Sequence, residues 1–244
     1  MTVSKSLAMQ LNVSKPNERA NKYLISFGFF RSFVNLVSLN KLGKSSRIFV
    51  NYVMIFSHII SGSVLAGTGV GVFWYFFQRV SIYNRLLWGF FLLTISLAAL
   101  IGIIEYTGAE SLEPLHRSMV VLSNSLGVVC AVVGVWGLLN RRIYTMTTFV
   151  TTMVFGLFVF ILLLLPEVRV FTPVVPSLAI LILMLLAVFS LLQRNKRGLW
   201  IVLAAMMMGL AAKAQSLDSF FHPTDFYHYA TALALWFFGK AAEK

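Results

Sequence analysis

The chain of 244 residues contains one cysteine, six prolines and eight acidic residues. Cys130 lies inside an apolar stretch, so neither a disulfide framework nor a thiolate zinc knuckle can be assembled. There is no Gly-rich phosphate loop of the Walker type, which excludes a nucleotide-driven motor within this chain. No repeat of solenoid period occurs. Charge is scarcest of all: Lys, Arg, Asp and Glu make up 11% of the residues, against about 25% in ordinary soluble domains. A water-soluble globule of this size would be starved of surface charge.

What is present is apolar length. Stretches free of Lys, Arg, Asp and Glu run over 48–78, 86–104, 118–140, 143–166, 170–193, 198–212 and 226–239. Each approaches the roughly 20 residues a helix needs to cross about 30 Å of hydrocarbon. The expected fold class is all-α: a polytopic membrane helical bundle with seven transmembrane helices, at 50–77, 82–105, 116–139, 143–165, 173–193, 198–216 and 225–242. Connections are short, so successive spans are expected to be antiparallel neighbours. Trp74, Trp88, Trp136, Trp200 and Trp236 fall near span ends, where they are expected to act as interfacial anchors.

Residues 1–49 form a separate region before the transmembrane domain of residues 50–244. Residues 1–22 are polar and basic. From Leu24 to Leu39 the chain is apolar, with Gly28, Arg31, Ser32, Asn35 and Ser38 at steps of three and four. That stripe is the pattern of an amphipathic helix lying in the membrane interface. An eighth span with Arg31 turned inward, or a misassigned start, is the alternative.

Net charge is +12. In a soluble protein this would point to nucleic acid; here the cations sit at span ends, where orientation and anionic headgroups explain them. Membrane lipids are therefore the expected partners and nucleic acid is not; a homo-oligomer or a membrane complex is compatible with this composition. Arg79, Arg85, Arg141, Arg142, Arg194, Lys196, Arg197, Lys240 and Lys244 fall on one side of the bundle. The other side has Arg117, Arg169 and Lys213 with most of the acids. The positive-inside rule makes the first side cytoplasmic. The expected location is a bacterial inner membrane.

All four histidines fall toward the opposite, outward end. His58 is about two turns into the first span, Glu105 ends the second, His116 begins the third, and His222, Asp225 and His228 lead into the last. Pro223 suits a first helical turn, and Asp225 and His228 at i, i+3 share a face. A carboxylate and an imidazole so placed can bind a metal together, or the carboxylate can orient the imidazole as a base. The plainer alternatives are solvation of the end groups among headgroups and Asp225 acting only as a helix cap. Asn124, between Ser123 and Ser125 in the third span, is a candidate for ligand contact or, more simply, for a bond to another helix. Ser63, Gly67 and Gly71, or Gly62 and Ala66, offer smooth faces for close helix approach.

Seven spans, a Ser57-His58 pair early in the first, and a last helix opening with Asp225-x-x-His228 resemble the CREST superfamily of membrane hydrolases, which includes alkaline ceramidases and progestin/adiponectin receptor proteins. The family's His-x-x-x-His in the last helix is absent. The resemblance implies a zinc ion with His58, His228 and His222 (or His116) as ligands. It also implies Asp225 orienting or activating water, Ser57 or Ser61 in support, and hydrolysis of a lipid amide. Glu105 would then join Asp225 in moving protons. The alternative is a non-enzymatic membrane protein binding a lipid or small ligand, or a structural subunit of an assembly. Haem between His58 and His228 is a third reading.

Overall fold

The structure, a computed structural model, describes residues 44–216 and 222–243. The expected interfacial helix over 24–39 lies outside the described residues. So do Asp218 and Lys244.

Seven helices follow one another: α1 (Lys44–Phe77), α2 (Ile82–Tyr106), α3 (Glu113–Leu139), α4 (Met146–Leu164), α5 (Val174–Leu192), α6 (Arg197–Ala212) and α7 (Pro223–Ala242). No strand occurs among the described residues. Five helices are long and apolar enough to cross a membrane: α1 from Val53 to Phe76, and α2 to α5, the fifth of these counted from Arg169. α6 is a shorter apolar helix.

From Val53 the chain forms one compact unit. α2 runs through its middle, with 67% of its most apolar window buried, against 17% for α4 and 22% for α5. The outer faces of those two helices, with Phe155, Phe158, Ile161, Leu185 and Phe189, are left bare, as lipid-facing surfaces are. α6 packs along both α5 and α7, and the second half of α3 packs on α2 and α5.

On α1 the buried positions are His58, Ser61, Gly62, Leu65, Ala66, Gly69, Val72 and Phe76, while Phe56, Val64, Val70 and Trp74 point out. A Cβ on Gly69 would stand 2.1 Å from Ser96 Oγ of α2, and one on Gly62 2.9 Å from Ile103 Cγ1. The Gly62/Ala66 face is therefore the packed one. Gly67 and Gly71 face open space, with no atom within 4 Å of a built Cβ.

An aromatic hub ties α1, α2 and α7 together. Trp88 stacks on Phe76 at 4.4 Å between ring centroids, and Phe91 meets Phe238 edge-on at 5.5 Å. Trp88 is 1% exposed, which corrects its expected role as an interfacial anchor: nearly two turns into α2, it lies over Gly134, whose missing side chain makes room for the indole. Trp74 and Trp236 are exposed as anchors should be.

α3 contains a π turn at Ser123–Gly127. Ser125 Oγ donates to Val121 O at 2.7 Å, a back-bond that favours local distortion. Helices α2 and α4 close on this turn, at Thr94 against Gly127 and Leu126 against Gly156.

The loops of one end are stitched together by side chains. Asn84 Nδ2 donates to Arg142 O at 2.9 Å and its Oδ1 accepts from Tyr144 N at 3.0 Å. Asn195 Nδ2 donates to Leu139 O and Arg197 Nη1 to Leu138 O, both at 3.1 Å. α3 and α5 each end on an arginine in the left-handed region, Arg141 (φ 53°) and Arg194 (φ 59°). Each is followed by the long backbone bond of a Schellman closure, Arg142 N to Gly137 O and Asn195 N to Ser190 O. Arg79, Arg85, Arg141, Arg142, Arg194, Lys196, Arg197 and Lys240 thus share this end, as the spacing of the spans predicts.

Candidate functional site

At the opposite end, α1 and α7 meet through polar groups. Pro223 occupies the first turn of α7 as expected, and His222 is its N-cap, with Nδ1 accepting from Thr224 N at 3.4 Å. Capping thus falls to His222. Asp225, one turn further, is buried (3% exposed) and turned toward α1.

Three donors from α1 converge on the Asp225 carboxylate. Ser57 Oγ donates to Oδ2 at 2.6 Å, Ser61 Oγ to Oδ1 at 2.6 Å, and His58 Nδ1 to Oδ1 at 2.8 Å. On a helix, positions 57, 58 and 61 fall within about one turn of each other and can reach one point. Ser61 Oγ also stands 2.9 Å from His228 Nδ1.

Proton bookkeeping fixes the tautomers. An ionised carboxylate only accepts, so His58 carries its hydrogen on Nδ1. Ser61 has one hydroxyl hydrogen, and its 2.6 Å contact with Asp225 Oδ1 is much shorter than the 3.2 Å to His58 O, so the hydrogen is assigned to Asp225. Its oxygen therefore accepts from His228, which also carries its hydrogen on Nδ1. In the neutral form, each imidazole is then left with a bare Nε2. That is the state in which a histidine binds a metal or takes up a proton, with its other nitrogen held by a carboxylate or hydroxyl. His222 has the reverse arrangement, because its Nδ1 accepts from Thr224.

The His58 ring is held from two sides. The Tyr106 ring at the end of α2 lies 4.9 Å away and the His222 ring 4.6 Å away. Tyr106 carries no motif, and only its adjacency to Glu105 could have drawn attention to it. Glu105 and His116 form a second dyad, Oε2 to Nδ1 at 2.5 Å, between α2 and α3. Gly102 lets His116 lie against α2, since a Cβ there would come within 3.1 Å of its ring. Asn124 lies apart, half-buried in the π turn of α3. It is eight residues, about 12 Å of helix, from His116.

The arrangement thus unites Ser57, His58, Ser61, Asp225 and His228 in one network, sets His222 against it, and keeps Glu105 with His116 as a neighbouring pair. As they stand, no three His, Cys, Asp or Glu side chains among the described residues converge closely enough to hold one ion. The donor chemistry fits a metal at two positions, the bare Nε2 atoms of His58 and His228. A third ligand requires His222 to release Thr224.

No curated protein and no solved structure matches the chain. One family model does, over residues 58–244, a stretch that begins at His58 and takes in Ser61, Asp225 and His228. The chain belongs to that family, DUF6962, a family of unknown function.

Proposed function

We propose that this is a seven-span protein of a bacterial inner membrane, with its histidine end outward, and that it is a metal-dependent hydrolase acting on a lipid. The single observation that carries the reading is the Asp225 carboxylate, buried at the α1–α7 contact, which sets the hydrogens of both His58 and His228 on Nδ1. A buried carboxylate with three donors is expensive to keep at membrane depth, and such groups mark function by default. The weak resemblance to CREST hydrolases points the same way.

His58 and His228 would hold zinc through Nε2, with His222 completing the set. When bound, the ion would supply Lewis acidity and a water of pKa near about 7. The chain's own residues do the rest. Asp225 and Ser61 keep both imidazoles in the ligating tautomer and Ser57 fixes the carboxylate. Glu105, oriented by His116, is the carboxylate open enough to move a proton between water and a leaving amine. That no three ligating side chains converge among the described residues favours a second reading, a non-enzymatic protein whose polar end binds a lipid headgroup or small ligand.

The test is metal analysis of the full chain purified in detergent, beside release of fatty acid from an N-acyl lipid. About one zinc per chain, lost in His58→Ala and His228→Ala, with release abolished in Asp225→Ala, is the expected result. A metal-free, inactive wild type would overturn the hydrolase reading.

A further inference from the structure

A second feature lies on α3. None of its first ten residues, Glu113–Leu122, is buried, whereas eight of the twelve in Val128–Leu139 are. The outer half packs on α2 and touches α4, and one face of it stays uncovered. Glu113, Arg117, Val120 and Asn124 share that face, at steps of four, three and four. Glu113 and Arg117 are exposed and joined as an ion pair; Val120 and Asn124 are half-buried.

Asn124 lies about 16 Å along the helix from Glu113, inside a span of 27 residues. Its amide is therefore at hydrocarbon depth. No group among the described residues hydrogen-bonds to it, although a bond to another helix is the ordinary fate of such a side chain. Acyl chains offer neither a donor nor an acceptor, and an unpaired amide among them is costly.

We propose that this face of α3 is a dimer interface, across which Asn124 pairs with Asn124 of a second copy of the chain. Two copies inserted the same way into a membrane close a dimer about an axis along the membrane normal, so a residue near that axis meets its own copy at its own depth. The face must then be complementary to itself. An amide carries both a donor and an acceptor and can bond to its own copy, which a lone carboxylate or ammonium cannot. The ion pair satisfies the same condition. Its charges are equal and opposite, and the five N–H donors of Arg117 can hold Glu113 of its own helix and that of the copy together. The bare face of α4 is different in kind: Phe155, Phe158 and Ile161 are side chains that lipid covers without loss.

The full chain is purified in mild detergent and its mass read by native mass spectrometry. A dimer is expected; Asn124→Ala should weaken its association about tenfold, and Asn124→Gln, which keeps an amide, should restore most of it. A second measurement is made in the membrane, with Cys130 replaced by alanine. A cysteine at Val120 should cross-link to its own copy under mild oxidation, and one at Phe158 should not. Cross-linking at Val120 supports the interface even where detergent separates the copies. A monomer whose Val120 cysteine does not cross-link would overturn the proposal. So would a dimer that Asn124→Ala leaves as tight as the wild type, or one that cross-links at Phe158 as readily as at Val120.

Discussion

His58 Nδ1 donates to Asp225 Oδ1 across 2.8 Å, joining residues 167 positions apart in the chain. The bond is one of three that end on the same carboxylate, so its removal acts on α1 and α7 together.

Asp225→Ala should lower stability by about 3 kcal/mol, since three buried donors lose their acceptor at about 1 kcal/mol or more each. Ser57→Ala, which removes one donor and orphans nothing, should cost about 1 kcal/mol. Chemical denaturation of the full chain in micelles reads both. An Asp225→Ala protein as stable as the wild type would mean that burying the carboxylate costs as much as its bonds return.

Ser61 passes the order imposed by Asp225 on to His228. A double-mutant cycle of Ser61→Ala with His228→Ala should therefore show a coupling of about 0.5–1.5 kcal/mol. A value near zero would separate His228 from the network.

Glycines on the two faces of α1 should respond oppositely. Gly69→Ala puts a Cβ 2.1 Å from Ser96 Oγ and 3.2 Å from Leu92 O, and should cost about 1–3 kcal/mol by overpacking. Gly67→Ala meets nothing within 4 Å and should gain up to about 1 kcal/mol from helix propensity. Thermal melting of the two variants checks the assigned face.

Arg194 holds a left-handed backbone that a side chain disfavours. Arg194→Gly should raise stability by about 1 kcal/mol while keeping the closure of α5. A loss of stability would show that the guanidinium contributes more than its backbone costs.

Orientation is open to labelling in a background where buried Cys130 is replaced by alanine. Single cysteines at Asn140 and Lys196 should resist impermeant thiol reagents outside intact cells, and one at Ser111 should react. All three side chains are exposed at helix ends. The reverse pattern would put the Asp225 network on the cytoplasmic side.

Much of this was legible in the sequence because it depends on composition along the chain. Charge-free stretches of near-spanning length foretell seven helices, and all seven occur; five of them meet the length and hydropathy of a membrane crossing. The i, i+3 spacing of Asp225 and His228, and Pro223 in a first turn, follow from helical geometry alone. Hydropathy, however, scores a residue without regard to its neighbours. It could not tell buried Trp88 from exposed Trp74, because that depends on whether a glycine such as Gly134 lies opposite. Nor could it choose between the Gly62 and Gly67 faces of α1, which are equally smooth in the sequence; the partner helix α2 decides. Chain chemistry alone allowed Asp225 to cap its own helix, but His222 stands one turn earlier in the cap position and releases the carboxylate to α1. Local periodicity determined the helices and the end at which the histidines lie. Only tertiary packing decided which of those residues touch, because the network is made of bonds between helices, and no local period encodes a distance of 167 residues.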